Sequence, residues 1–300
     1  MKKILLGLSA IMMLFATSCQ QEATSEASAQ KSATVTFEVS TPELETRAFS
    51  DGTTATVLQY SVYNAAGEEM EDLRVTNGVI HGSTTVNIVL TTGNTYTVIF
   101  WAAAPNAPYS VDFATKTMTV DYTNAASNDE ARDAFYTAYT FTVTGTQNET
   151  IELKRPFAQL NIGTSDYAAS TSAGYTPTQS AVTVKSIYKT LNLATGEVGE
   201  PAEITFSSAN IPTGETFPVN GYEYMAMNYL LVAADKTVVD IDFTYTDGSN
   251  AKTRTVGSVP VQRNYRTNIY GSILTSVVGF DVIINPDYNE PNHDVYLQSK

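Results

Sequence analysis

The sequence predicts an all-β protein of antiparallel sandwich type, and three observations carry that prediction. Apolar and polar residues alternate along short runs, as where Val35, Phe37 and Val39 fall between Thr34, Thr36 and Glu38, the period of a strand with one buried face. Turn-forming clusters punctuate those runs, among them Ala66-Gly67, Thr92-Gly93-Asn94 and Asp247-Gly248. Helical periods are scarce, and a strand-turn-strand rhythm without them belongs to a sandwich.

In chain order, the first segment is a targeting signal and not a fold element. Lys2 and Lys3 precede an apolar run from Ile4 to Phe15, and Ala16-Thr17-Ser18 precede Cys19, the single cysteine of the 300 residues. A basic start, a short apolar stretch and small residues before a cut describe an export signal, too short to serve as a stop-transfer helix. Residues 1–18 are therefore expected to be a lipoprotein signal peptide, with Cys19 carrying the lipid. Two or more acyl chains, at about 0.8 kcal/mol per buried methylene, make such an anchor stable. Residues 19–32, rich in Ser, Ala, Gln, Thr and Glu without apolar period, read as a tether.

The Val35–Val39 strand opens the fold. A break from Thr41 to Gly52, holding Pro42, Arg47 and Asp51-Gly52, separates it from a strand with Leu58, Tyr60 and Val62. Val86, Ile88 and Leu90 continue the alternation, and Tyr96 to Ala102 forms an apolar run with Ile99, Phe100 and Trp101. Asn128-Asp129-Glu130 can cap a short helix bearing Ala131, Ala134 and Phe135. Strands at Tyr139–Val143 and Thr150–Leu153 end a first domain, expected over 33–155. Lys154-Arg155-Pro156 marks the boundary, since proline donates nothing to a ladder and biases its predecessor to extended geometry.

A second domain, expected over 156–276, repeats the rhythm. Its strands are Phe157–Ile162, Val182–Lys189, the long apolar stretch Tyr222–Ala234, Val238–Tyr245 and Asn264–Leu274, with a Ser/Thr/Gly/Ala-rich loop at Thr164–Gln179. Residues 277–300 hold one more alternating strand, Val278, Phe280, Val282 and Ile284, before Pro286 and a polar end.

Composition bounds the chemistry. Hydrophobic residues are 43% and charged residues 16%, enough for a core, and the lone cysteine allows no internal disulfide. A formal net charge of −14 argues against nucleic acid as a partner. His81 and His293 are the only histidines, so a triad or a His-rich metal site is hard to assemble, and no Gly-rich phosphate loop opens a helix. Asp240 and Asp242 share a strand face, as paired catalytic carboxylates could, but a solvated face opposite Val239, Ile241 and Phe243 accounts for them. The tail Asp287–Asp294 has oxygen ligands at calcium-like density but lacks the turn glycine and closing glutamate of a built site. No enzyme, no cofactor and no metal are expected. The 18 Tyr and 12 Phe could stack sugars, although most occupy alternating core positions.

Three segments carry a resemblance: Leu153-Lys154-Arg155-Pro156-Phe157-Ala158-Gln159-Leu160-Asn161-Ile162, Met225-Ala226-Met227-Asn228-Tyr229-Leu230-Leu231-Val232, and Arg263-Asn264-Tyr265-Arg266-Thr267-Asn268-Ile269-Tyr270-Gly271. Together they resemble the fimbrillin-like lipoproteins of Bacteroidota, the type V pilins and their relatives, including a DUF6562-like subgroup. The resemblance implies two tandem Greek-key, transthyretin-like β-sandwich domains and an outer-membrane lipoprotein. It also implies cleavage by an arginine-specific protease after the first strand, and filling of the opened groove by a C-terminal strand of the next subunit.

On this chain the matching cut lies between Arg47 and Ala48 in Thr46-Arg47-Ala48-Phe49. The displaced strand would carry Val35, Phe37 and Val39, and the donor strand Val278, Phe280, Val282 and Ile284. The expected function is a structural fimbrial subunit or accessory surface lipoprotein supporting adhesion or biofilm formation, with other fimbrial subunits, the protease and the membrane as partners. The alternative is a cell-surface glycan-binding lipoprotein. A secreted hydrolase ranks behind both, for want of a carboxylate cluster.

Overall fold

The structure, a computed structural model, describes residues 31–42, 49–199, 201–275 and 280–285, the last by backbone alone. The chain is nearly all β. The first half contains β1 (Ser32–Ser40), β2 (Val57–Tyr63), β3 (Val75–Val79), β4 (Ser83–Thr91) and β5 (Thr95–Ala103). A hairpin of β6 (Tyr109–Asp112) and β7 (Thr117–Val120) follows, then β8 (Ala134–Thr142) and β9 (Gln147–Glu152). The second half begins with β10 (Phe157–Thr164), a short helix α1 (Tyr167–Ser172), β11 (Gln179–Tyr188), β12 (Thr190–Asn192) and β13 (Pro201–Asn210). It ends with β14 (Glu223–Leu231), β15 (Thr237–Thr246), β16 (Ala251–Val261), β17 (Arg266–Gly271) and β18 (Phe280–Asn285).

The two halves repeat one topology. In the first, the sheet β4-β1-β9 faces the sheet β3-β2-β5-β8; in the second, β14-β10-β17 faces β13-β11-β15-β16 in the corresponding order. The central strand of each smaller sheet makes the same two pairings, β1 antiparallel to β4 and parallel to β9, β10 antiparallel to β14 and parallel to β17. Seven strands thus complete each sandwich, and β18 is additional, paired antiparallel with β17 at the sheet edge.

Alternation decides the first core. Val35, Phe37 and Val39 are fully buried among Leu58, Val62, Val98, Phe135 and Val143. The Phe37 ring lies edge-on to Phe100 at 5.6 Å and to Phe141 at 5.2 Å, arrangements the ring quadrupole favours. The opposite face of β5, with Ile99, Trp101 and Ala103, belongs to a different apolar cluster that continues into the second sandwich. A strand buried on both faces reads as a continuous apolar run, which is why Tyr96 to Ala102 shows no alternation.

The halves are joined by more than a linker. β7 pairs with β12, so the small sheet β12-β7-β6 draws strands from both halves. An aromatic series crosses the joint, Trp101 edge-on to Tyr109 at 5.4 Å and Tyr109 stacked on Phe157 at 5.3 Å.

Three expectations change. The helix anticipated from Asn128 shrinks to a single 3-10 turn at Glu130–Arg132, capped by the Asp129 carboxylate accepting from Ala131 N at 3.2 Å. Ala134 and Phe135 already lie in β8, because their apolar side chains alternate onto the two faces of that strand. The Thr164–Gln179 loop contains α1, and its Ser/Thr-rich composition hides a six-residue helix too short for a period to show. Six strands are not anticipated from sequence: β3, β6, β7 and β12 have three to five residues, too few for a period to show, and the polar, Thr- and Ser-rich outer faces of β13 and β16 dilute their alternation.

Candidate functional site

β1 is the central strand of its sheet, between β4 and β9. Its whole length pairs with β4, from Ser32 against Thr91 to Ser40 against Ser83, while Val35 to Ser40 pair with Gln147 to Glu152 of β9. Removing it would leave a slot between β4 and β9 with two unpaired backbone edges and empty pockets for three side chains. Such side chains contribute about 1.5–3 kcal/mol each when buried, and buried backbone groups require partners.

Arg47 and Ala48 lie outside the described residues. The chain is described again at Phe49, edge-on to Tyr224 at 5.1 Å, and at Ser50, fully buried with φ +65°. Ser50 is held at every polar atom. Its N–H donates to both Glu130 oxygens at 2.9 and 2.8 Å, its hydroxyl bonds the Tyr229 hydroxyl at 2.8 Å, and its carbonyl accepts from Arg155 Nη2 at 2.7 Å. Tyr229 in turn donates to the Glu130 carboxylate.

Behind Ser50 stands an ion pair without solvent exposure on either side chain. Arg155 Nε and Nη2 donate to the two Asp133 oxygens, each at 2.7 Å, and the guanidinium lies 4.5 Å from the centre of the Phe135 ring. Planar two-point pairing suits arginine and not lysine. Asn264 Oδ1 accepts from Arg155 N at 3.1 Å, and Arg263 donates to Tyr136 Oη at 3.1 Å and to the Gly196 carbonyl at 2.8 Å. The three segments that carry the family resemblance thus converge: Arg155, Tyr229 and Asn264 belong one to each, and β14, β10 and β17 are neighbours in one sheet.

Electrostatics follow from this burial. Desolvation, with the Asp133 charge nearby, pushes the Glu130 carboxyl up to about 7, although the Tyr229 and Ser50 hydrogen bonds act the other way. Burial also raises Asp133, while Arg155 pulls it back. A carboxyl raised from its ordinary 4.5 to about 7 holds its proton more tightly in the folded state. Its contribution to stability is therefore full below about pH 4.5 and falls as pH rises to about 7. Urea unfolding between about pH 5 and pH 8 should show a loss of about 3 kcal/mol from this group, and Glu130→Gln should flatten that part of the profile. A profile unchanged by the substitution would contradict the assignment.

The remaining predicted positions are placed as follows. Cys19 and Val278 lie outside the described residues. Phe280, Val282 and Ile284 belong to β18, whose backbone pairs with β17 from Gly271 against Phe280 to Arg266 against Asn285. Asp242 accepts from Thr255 Oγ1 at 2.6 Å and lies 3.0 Å from Lys185 Nζ, and Asp240 accepts from Ser258 N at 2.8 Å, so both serve the sheet surface. Among the described residues no group of three His, Cys, Asp or Glu side chains could hold a metal, and no helix is long and apolar enough to cross a membrane. The Ser50 network was not legible in sequence; Glu130 reads there as a helix cap, and only Arg155 beside Pro156 hinted at a special position.

Residues 25–298 match the family described as a family of unknown function, DUF6562. The chain belongs to DUF6562. A search of curated proteins returned no match. Among solved structures, this DUF6562 chain is similar to a candidate polysaccharide-binding protein of DUF1812 from Bacteroides thetaiotaomicron, at 13% identity and TM-score 0.53, over 87% of this chain and 100% of that one. A candidate adhesin from the same species matches at 9% identity and TM-score 0.50, over 89% and 100%. The fimbrial anchor protein Mfa2 from Porphyromonas gingivalis matches at 11% identity and TM-score 0.46, over 85% and 98%. At such identities the first two likenesses establish the sandwich fold.

Proposed function

We propose that this DUF6562 protein is a non-enzymatic surface protein of fimbrial type, a structural subunit or an accessory lipoprotein in adhesion, assembled by strand exchange. In this reading a lipid on Cys19 holds it to the outer membrane. An arginine-specific protease cuts between Arg47 and Ala48, β1 leaves, and the strand with Val278, Phe280, Val282 and Ile284 from the next subunit fills the slot. Residues 33–155 and 156–276 act as the two sandwich domains, and 277–300 supplies the donor.

The observation that carries the reading is the position of β1. It is the central strand of its sheet and the first of the described strands, so one cut beyond it separates it covalently from the other six strands of that sandwich, which keep their connections. The network on Ser50 supports the reading, because it fixes the chain directly beyond the proposed cut. β18 stands outside the seven-strand repeat, at an edge of its sheet. Main-chain pairing with alternate side chains in pockets is the general form of strand addition.

Limited digestion of the folded chain tests the cut. Arginine-directed proteolysis with mass mapping should release the first fragment after Arg47. Arg155 is buried, Arg74 is paired with Glu69 at 2.5 Å, and Arg254 lies within β16, so these should resist. Equal cutting at several arginines would count against a dedicated site. Cys19→Ala should abolish incorporation of labelled palmitate, and labelling of the variant would overturn the anchor.

Glycan capture is a second reading, favoured by one observation. A cleft of about 600 Å³ between β8, β9 and the loops at 193–196 and 263–264 is lined by Tyr136, Tyr139, Lys154 and Arg263. An aromatic and polar lining suits a sugar, and the DUF1812 neighbour is a candidate polysaccharide binder. Titration with oligosaccharides, monitored by tyrosine fluorescence, separates the two readings.

A further inference from the structure

Five non-glycine residues among those described have a left-handed backbone: Ser50, Lys116, Asn128, Ser258 and Asn264. Asparagine tolerates that conformation through local hydrogen bonds, and neither Lys116 nor Ser258 is buried. Ser50 alone of the five is buried, fully so, at φ +65°. A left-handed residue presses its Cβ on the following carbonyl oxygen, so surroundings that hold a serine there store strain beside the Phe49–Ser50 peptide bond. Glycine adopts the same conformation freely, and what serine adds is a hydroxyl.

That hydroxyl stands at the head of a proton relay. It lies 2.8 Å from the Tyr229 hydroxyl, and Tyr229 spends its own proton on a Glu130 oxygen, so Ser50 donates to Tyr229 and Tyr229 to Glu130. The same carboxyl accepts the Ser50 N–H at 2.9 and 2.8 Å, which sets the end of the relay against the amide nitrogen of the strained residue. These contacts fall within the reach that general acid–base catalysis requires. Burial and the Asp133 charge raise the Glu130 carboxyl to about 7 against the pull of Tyr229, Ser50 and Arg155, so near neutrality it both takes and returns a proton. Arg155 Nη2, donating to the Ser50 carbonyl at 2.7 Å, holds the downstream side of the bond in place.

We propose that the chain cuts itself between Phe49 and Ser50 by an N-to-O acyl shift. Ser50 Oγ attacks the Phe49 carbonyl carbon, and its proton passes through Tyr229 to Glu130. Glu130 returns the proton to the Ser50 nitrogen, the C–N bond breaks, and an ester joins Phe49 to Ser50 Oγ beside a free amine. Water then hydrolyses that ester to the Phe49 carboxylate and the Ser50 hydroxyl. Nucleophile and carbonyl are neighbours in the chain, so the attack needs no diffusional encounter, and breaking the C–N bond releases the left-handed constraint. The reaction runs once per chain and turns over no other substrate. It separates β1 from the six other strands of its sandwich without an external protease, and so stands apart from the cut proposed at Arg47.

The test uses the intact purified chain carrying Arg47→Ala, incubated at neutral pH. Mass spectrometry should find a fragment beginning at Ser50, formed at a first-order rate that does not change with protein concentration. Hydroxylamine, which captures esters, should speed the cut and leave a hydroxamate on Phe49. Ser50→Gly keeps the left-handed backbone without the nucleophile and should stay whole, while Ser50→Cys should cut through the corresponding thioester. Glu130→Gln should slow the reaction at least about a hundredfold. A parent chain that yields neither the Ser50 fragment nor the hydroxamate overturns the proposal. So does Ser50→Gly cut at the parent's rate, the result a contaminating protease acting after phenylalanine would give, or Glu130→Gln cut as fast as its parent. Circular dichroism confirms that each variant retains the fold.

Discussion

Arg155→Met is expected to destabilise the folded chain by about 3–5 kcal/mol, the usual consequence of leaving one member of a buried ion pair without its partner. Arg155 is fully buried and offers Asp133 a two-point contact at 2.7 Å on both arms. Without it, the fully buried Asp133 carboxylate loses its ion-pair partner, and the Ser50 carbonyl loses a donor. The pair itself need not be a net stabiliser, since an apolar pair of similar volume often serves as well. Asp133→Leu combined with Arg155→Met should accordingly recover a large part of the loss. Urea midpoints of the three variants decide the matter, and a single variant within about 1 kcal/mol of wild type would show that the network does not secure the joint.

Phe37→Ala is expected to cost a similar amount, about 3–5 kcal/mol, through the cavity left when a buried ring is truncated. Phe37 has no exposure and contacts two other rings, so the site cannot collapse without moving Phe100 or Phe141. The comparison that matters is with cleaved chain. If β1 has left after cleavage at Arg47, the same substitution should no longer affect the stability of what remains. An equal loss in the cleaved chain and the intact one would mean that β1 stays in place after the cut.

The sequence revealed the strands whose two faces differ. Val35, Phe37 and Val39, and likewise Val86, Ile88 and Leu90, announce their buried side by period alone. β5 and β14 were legible as apolar runs for the opposite reason, both faces being covered. What escaped was assembled across distance. Ser50, Glu130, Asp133, Arg155 and Tyr229 span some 180 positions and meet only because β14 and β10 pair beside the joint; a serine in a loop and a glutamate after an aspartate carry no local mark of that meeting. The short helix and the polar-faced strands escaped because six residues are too few for a helical period and threonine reads as surface. The repeat of strand order between the halves left no trace in residue identity, since a sandwich core accepts many apolar side chains of suitable volume.

The central claim is that β1 occupies a slot another strand can fill, and size-exclusion chromatography of chain cleaved after Arg47 tests it most directly. Cleaved chain should run as oligomers, and an excess of a peptide spanning Ser32–Ser40 should return it to monomer by refilling the slot. Replacing Phe280 and Val282 with aspartate should likewise abolish the oligomers while leaving the fold intact. Cleaved chain that remains monomeric, or oligomers indifferent to both the peptide and the two substitutions, would contradict strand exchange as the means of assembly.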